Sequence, residues 1–174
     1  LAIGSERYTP YTPTKQPAEI LTIANHILGT GQLSLAKFLF ITADDDNKIT
    51  THNIENYLRF VLERINLKRD IHFYTNTTID TLDYSGTGLN SGSKVVLAAY
   101  GQKQRELAIE VPDVLKNIQG FENAQLVMPG VVALQTKKFV DYATANNELQ
   151  TLSSQLTAYS SQLTNLPFII VCDD

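Results

Sequence analysis

Residues 32–46 read QLSLAKFLFITADDD, and the fold follows from them. The run from Phe38 to Thr42 is apolar and rich in β-formers. One small residue, Ala43, then leads into Asp44, Asp45 and Asp46. Farther on, Ile54, Tyr57, Leu58, Val61, Leu62 and Ile65 recur with the three-and-one spacing of a helix that buries one stripe. Thr50 or Thr51 is expected to cap that helix, since a hydroxyl can accept one of the free N–H groups of its first turn. The residues 71–75 (IHFYT) form a second β-type run. Strand, acidic turn, helix and strand together predict a β-α-β unit of the parallel kind, hence an α/β fold with a mostly parallel sheet flanked by helices.

Ahead of this unit, residues 8–17 (YTPYTPTKQP) carry three prolines, and residues 1–16 are expected to be an extended lead-in. Ile20, Leu21, Ala24, Ile27 and Leu28 share a helical face, which predicts a helix over 17–28 stopped by Gly29. His26 has no second ligand at metal spacing and reads as a helix surface residue.

Composition bounds the function classes. The 174 residues are enough to bury a core, with 43% hydrophobic and 18% charged side chains. A net charge of -4 without a basic cluster argues against nucleic acid as a partner. No apolar run is long enough for a membrane span. The single Cys172 excludes an internal disulfide and reads as a small buried residue; a cytoplasmic protein is the expectation.

The acidic turn invites a calcium-loop reading, with Glu55 in the place of the loop's last ligand. That reading fails because Lys48 and Ile49 occupy a ligand position and the sharp-turn glycine position. Two readings stay open: carboxylates stabilised at the N-terminus of the following helix, or a polar contact with another domain or subunit. Downstream, residues 76–90 are rich in Thr, Asp, Gly and Ser and read as an ordered loop held by side chain to backbone hydrogen bonds. Gly86, Gly88 and Gly92 match no phosphate-loop spacing and read as turn glycines. Lys94 opens a strand over 95–99, where it is either solvated or within reach of an anion.

These residues, in this order, carry a family resemblance. Ala36-Lys37-Phe38, then Asp44-Asp45-Asp46, a helix to Asn66 and Arg69-Asp70 are similar to the C-terminal part of the UbiD-type decarboxylases. So are residues 76–84, in which Asn76, Thr77, Ile79, Asp80, Leu82 and Asp83 precede Tyr84. Gly92-Ser93-Lys94 with Leu97 and Ala99, and then Gln104-Arg105-Glu106, complete the series. The resemblance covers residues 32–106. It implies a parent enzyme that reversibly decarboxylates aromatic or unsaturated acids, in a quinone pathway for example. Such an enzyme uses prenylated FMN with a divalent metal and a monovalent cation. The family's catalytic and cofactor residues lie in upstream domains, so none carries over, and the chain alone is expected to be inactive and to hold no cofactor or metal. Asp44, Asp45, Asp46, Asp80, Asp83, Ser93 and Lys94 are motif residues whose role the resemblance leaves unassigned. The expected partners are the parent's remaining domains and further copies in a homo-oligomer. The alternative is a non-catalytic α/β interaction domain that shares only the scaffold.

Beyond residue 106 the reading is compositional. Residues 111–118 suggest a short helix and 125–128 a short strand. From residue 136 a helical pattern carries Leu149, Leu152, Leu156, Tyr159 and Leu163 as a seam, which either lies on its own sheet or pairs with another helix. The main α/β domain is thus expected over 17–135, with 136–174 as a helix and a further strand. That strand repeats the opening element: residues 168–174 (FIIVCDD) align without gaps on 39–45 (LFITADD). Internal duplication and chance agreement both remain open. Because the first copy goes on into a helix, the chain is expected to be a fragment of a longer protein.

Overall fold

A computed structural model describes residues 1–8, 11, 13–44, 48–86 and 88–173. Asp45, Asp46 and Asp174, all part of the expected acidic elements, lie outside the described residues. The chain divides into two units, 1–104 and 105–174. The stretch expected as one domain over 17–135 therefore contributes to both.

The first unit holds a four-stranded sheet in the order β1-β2-β4-β3, formed by β1 (Ala2–Gly4), β2 (Phe38–Ala43), β3 (Ile71–Thr78) and β4 (Ser91–Ala99). The expected lead-in thus begins as a strand, with Ala2 opposite Ile41 in a parallel pair. β2 is parallel on both sides, and from Leu39 onward both of its faces are packed, as parallel sheets require. Leu39, Ile41 and Ala43, with Val96, Ala98 and Tyr100, take helix α1 (Glu19–Leu28) through Ile20 and Ala24. Phe40, Leu97 and Ala99 take helix α2 (Ile54–Arg64) through Tyr57, Val61 and Ile65. The alternation of β2 divides these side chains between two helices, one per face.

Two expectations are corrected in this unit. The cap of α2 is Asn53, whose side chain accepts the Asn56 N–H at 3.0 Å, in place of Thr50 or Thr51. Three residues able to cap stand within four positions, and the backbone path selects the last. The sheet is also mixed. β3 runs antiparallel to β4, from Ile71 opposite Leu97 to Thr78 opposite Ser91, and only β4 is the parallel neighbour of β2. The cause is the direction of α2. Its C-terminal end lies level with the carboxyl ends of β2 and β4, where the Gln104 N–H donates to the Glu63 carbonyl at 2.7 Å. A strand leaving that end can only run back down the sheet.

α1 is held at its start by two glutamates. Glu6 is buried, and its Oε1 accepts the N–H groups of Ala18 (2.6 Å) and Ile20 (3.1 Å), serving as a cap from outside the helix. Glu19 reaches back to the N–H groups of Arg7 (2.9 Å) and Tyr8. On the other face, the enclosed Tyr57 hydroxyl lies 2.7 Å from the Ala2 carbonyl oxygen and 2.8 Å from that of Phe40.

The second unit has a sheet in the order β5-β6-β7, from β5 (Asn123–Met128), β6 (Val131–Gln135) and β7 (Phe168–Cys172). β5 and β6 form a hairpin whose turn places Gly130 at φ 79°, a backbone state that suits glycine. β6 and β7 are parallel, joined through helix α4 (Tyr142–Ala158). A short helix, α3 (Asp113–Lys116), and α4 cover one face of this sheet, where Leu115, Leu152 and Leu166 meet Val132, Leu134 and Ile169. Leu152, Leu156 and Leu163 of the leucine seam pack on the unit's own sheet, while Leu149 and Tyr159 stay exposed. The gap-free alignment of 168–174 on 39–45 predicts Phe168 and Ile170 on the helix side. The structure puts Ile169 there, so the two strands correspond in topology with a one-residue slip in phase.

Tyr57→Phe is expected to cost about 1–3 kcal/mol in denaturant unfolding, because two enclosed carbonyls lose their common donor. An unchanged midpoint would show that the hydroxyl contributes nothing to the anchor.

Candidate functional site

The carboxyl ends of adjacent parallel strands are where open α/β sheets place ligands. In the first unit a cleft of about 380 Å³ lies there, lined by Ala43, Asp44, Tyr100, Gly101, Gln102, Lys15 and Lys48, with Phe60 and Arg64 of α2. Asp44 closes the turn that leaves β2, its Oδ2 accepting the Ile49 N–H at 2.8 Å. The Lys15 ammonium donates to the Tyr100 hydroxyl at 3.0 Å. The Arg64 guanidinium stacks 3.6 Å from the centroid of Phe60 and donates to the Phe60 carbonyl (3.0 Å) and Glu63 (3.2 Å). Asp44 thus lines a cleft shared with the C-terminal turns of α2, where the helix dipole favours cations. The reading of the acidic turn as an N-terminal helix partner is corrected for this residue.

Gly101 sets the floor of the cleft. Its φ is 104°, and a Cβ there would stand 2.4 Å from the Lys15 carbonyl oxygen. The backbone of the 13–15 stretch can lie this close only over glycine.

The other motif residues gather at the opposite end of the sheet, some 20 Å away by the length of β2. Lys37, just before β2, donates to Asp83 at 2.8 Å. Asp83 also accepts the Ser85 N–H (3.0 Å) and hydroxyl (2.5 Å), and Asp80 accepts the Leu82 N–H (2.8 Å). Of the expected 76–90 loop, residues 76–78 belong to β3, and the described residues that follow are held by their own carboxylates, as the composition predicts. The hydrogen bond from Lys37, followed by those from Ser85, holds the Asp83 carboxyl down to about 2. Ser93 is exposed on β4. Lys94 is neither solvated nor at an anion: it is only 4% exposed and donates to the Ser34 carbonyl, pinning the 3₁₀ turn Gly31–Leu35 to the sheet. Burial pushes its pKa down.

Sequence reasoning passed over Asp70, which is fully buried. It accepts the Asn66 N–H at 2.8 Å and takes Arg69 in a fork, Nε at 2.5 Å and Nη2 at 3.0 Å. The adjacent Arg-Asp pair was the visible signal, and its part is to fix the turn from α2 into β3.

The first unit coincides with a known domain. The 3-octaprenyl-4-hydroxybenzoate carboxy-lyase C-terminal domain matches residues 1–99, from the start of the chain to the last residue of β4. The chain belongs to the UbiD decarboxylase family. An uncharacterized protein of Chlamydia trachomatis serovar D is 33% identical over 173 residues, which is 99% of this chain and 26% of that protein. A protein of Chlamydia pneumoniae named as a subunit of 4-hydroxybenzoate decarboxylase is 43% identical over 89 residues, 51% of this chain and 15% of its own length. The UbiD chain thus spans about a quarter or less of these relatives. Among solved structures, the vanillic acid decarboxylase of Sedimentibacter hydroxybenzoicus in its closed form is 14% identical with a TM-score of 0.44, over 82% of this chain and 25% of that one. A likeness of that size carries no functional inference. No helix among the described residues of the UbiD chain is long and apolar enough to cross a membrane.

Gly101→Ala is expected to lower stability by more than about 2 kcal/mol in denaturant unfolding, through left-handed backbone strain and collision with Lys15; a loss below about 0.5 kcal/mol would show that the 13–15 stretch moves aside freely. Because Asp83 is held below the ordinary 3.8, its contribution to stability is complete above that value and is lost as pH falls toward about 2. A carboxyl-carbon NMR titration should give that low midpoint, and Lys37→Met should return it toward the ordinary value. A midpoint unmoved by Lys37→Met would show that Ser85 alone lowers it.

Proposed function

We propose that this chain is the C-terminal scaffold region of a UbiD-type enzyme that decarboxylates aromatic or unsaturated carboxylic acids without oxidation, among them hydroxybenzoates of quinone pathways. The observation that carries this reading is the family match across the entire four-stranded unit. The side chains of that unit support a structural role: Asp70, Asp80, Asp83 and Lys94 bind its own backbone or a neighbouring side chain.

Prenylated FMN with a divalent metal and a monovalent cation is the cofactor set proposed for the parent. Among the described residues, no three His, Cys, Asp or Glu side chains come together as a ligand set. The carboxyl-end cleft is lined by Lys15, Lys48 and Arg64 against the single carboxylate Asp44 among its described lining residues. This lining does not fit a divalent cation, and the reading assigns flavin and metal to the parent's other domains.

The scaffold role predicts a surface for those domains. α2 covers only the carboxyl-end half of its sheet face. At the amino end Phe38, Val95 and Phe73 form one cross-strand row, with Phe38 63% and Phe73 72% exposed. Two exposed phenylalanines flanking a valine in one row of a sheet are an interface signal. The catalytic domains or a second subunit of the assembled enzyme are proposed to cover the row.

In the 174-residue chain by itself, Phe73→Asp is expected to change stability by less than about 0.5 kcal/mol, since the side chain is exposed on an edge strand, and the variant is then placed in the full-length gene product. The same change should lower the assembly state in sedimentation and reduce carbon dioxide release from 4-hydroxybenzoate by tenfold or more. Unchanged assembly and turnover would refute the docking row. A full-length protein that neither binds prenylated FMN nor decarboxylates any aromatic acid would refute the enzyme reading.

A further inference from the structure

The second unit repeats the opening of the first. In one, β1 leads through α1 and the 3₁₀ turn Gly31–Leu35 to the parallel β2, which Asp44 follows. In the other, β6 leads through α4 and the 3₁₀ turn Ser160–Gln162 to the parallel β7, which Asp173 follows. The helix ends ten residues before the strand begins in both, at Leu28 and Phe38 and at Ala158 and Phe168. Both closing carboxylates accept a loop N–H: Asp44 from Ile49 at 2.8 Å, Asp173 from Phe139 at 3.0 Å.

The two units then differ in what flanks the second strand. β2 carries α2 on the face away from α1 and the parallel β4 on its far edge. On the face of β7 away from α4 stand Phe168, Ile170 and Cys172, and no helix of the second unit packs there among the described residues. Ile170 is 39% exposed on that face, and beside it Asn123, Gln125, Ala133, Gln135 and Cys172 line a groove. On the far edge, the described residues offer β7 no second strand. A parallel pair whose outer strand leaves Ile170 exposed beside a groove on one face, and whose outer edge is apolar and uncharged, is an incomplete arrangement, because parallel strands are stable when both faces are covered.

We infer that β7 is the inner strand of a second unit of the same topology, and that polypeptide following it covers it: a helix in the place of α2 on the Ile170 face, and a parallel strand in the place of β4 on its edge. β4 begins 48 residues after β2 ends, which places the covering strand about 50 residues beyond β7. A relative matched over 99% of this chain is about four times as long, so about three quarters of its length lies outside the matched stretch. The inference is independent of the decarboxylase reading, since it concerns only how β7 is completed.

The test uses the full-length natural gene product with a benzophenone side chain in place of Ile170. Irradiation and peptide mass spectrometry should find adducts to residues C-terminal to Asp174 of the same chain. Adducts to upstream domains, adducts to a second copy, the absence of any adduct, or a natural product that ends at Asp174 would each overturn the inference. Alkylation of Cys172 supplies a second readout. It should run about tenfold slower in the full-length protein than in the same protein truncated after Asp174, and equal rates in the two would also overturn it.

Discussion

The Tyr57 hydroxyl, enclosed between the carbonyl oxygens of Ala2 and Phe40, is the contact on which the first unit depends. It ties α2 to the start of β1 and to the middle of β2, and burial pushes its pKa upward, which keeps it a neutral donor. With α2 anchored there and capped at Asn53, its last turn must lie level with the carboxyl ends of the strands. From that position follow the antiparallel course of β3, the insertion of β4 between β3 and β2, and the meeting of Arg64 with Asp44 in one cleft.

The acidic side chains of this unit serve its backbone. Glu6 caps α1, Asp44 closes the turn after β2, Asp70 holds the corner from α2 to β3, and Asp80 and Asp83 shape the loop before β4. Buried and half-buried N–H groups in corners and loops need acceptors, and a carboxylate meets that need with a charge-assisted bond. A residue series that identifies a family can therefore record how its corners are held. In this chain it does so for Asp44, Asp70, Asp80 and Asp83, while Phe38 and Phe73 of the Phe38–Val95–Phe73 row stay exposed.

Much of this was legible beforehand. The stripe from Ile54 to Ile65 and the run from Phe38 to Ala43 show their periods in single segments, so helix and strand are readable from neighbours alone. The Asp80–Asp83 loop was legible for the same reason, since its bonds span two or three residues. What escaped depends on distant residues. Lys94 is buried because the 3₁₀ turn sixty positions earlier presents the Ser34 carbonyl, and Asp44 faces the last turns of α2 because of where Tyr57 docks. The seam from Leu149 to Leu163 could equally have served another helix until Leu115, Leu134 and Leu166 were seen to occupy it.

The amino-acid sequence by itself determined the α/β class, the central helices and strands, and membership in the decarboxylase family, because local periodicity and ordered motifs are properties of short stretches. Only the tertiary structure decided the mixed sheet, the division at residue 104, the fate of the leucine seam and the separation of the motif residues to opposite ends of β2. Each of these turns on the direction in which an element is laid against the others. A helix or strand pattern reads the same in either direction, and side-chain contacts across the core choose between them.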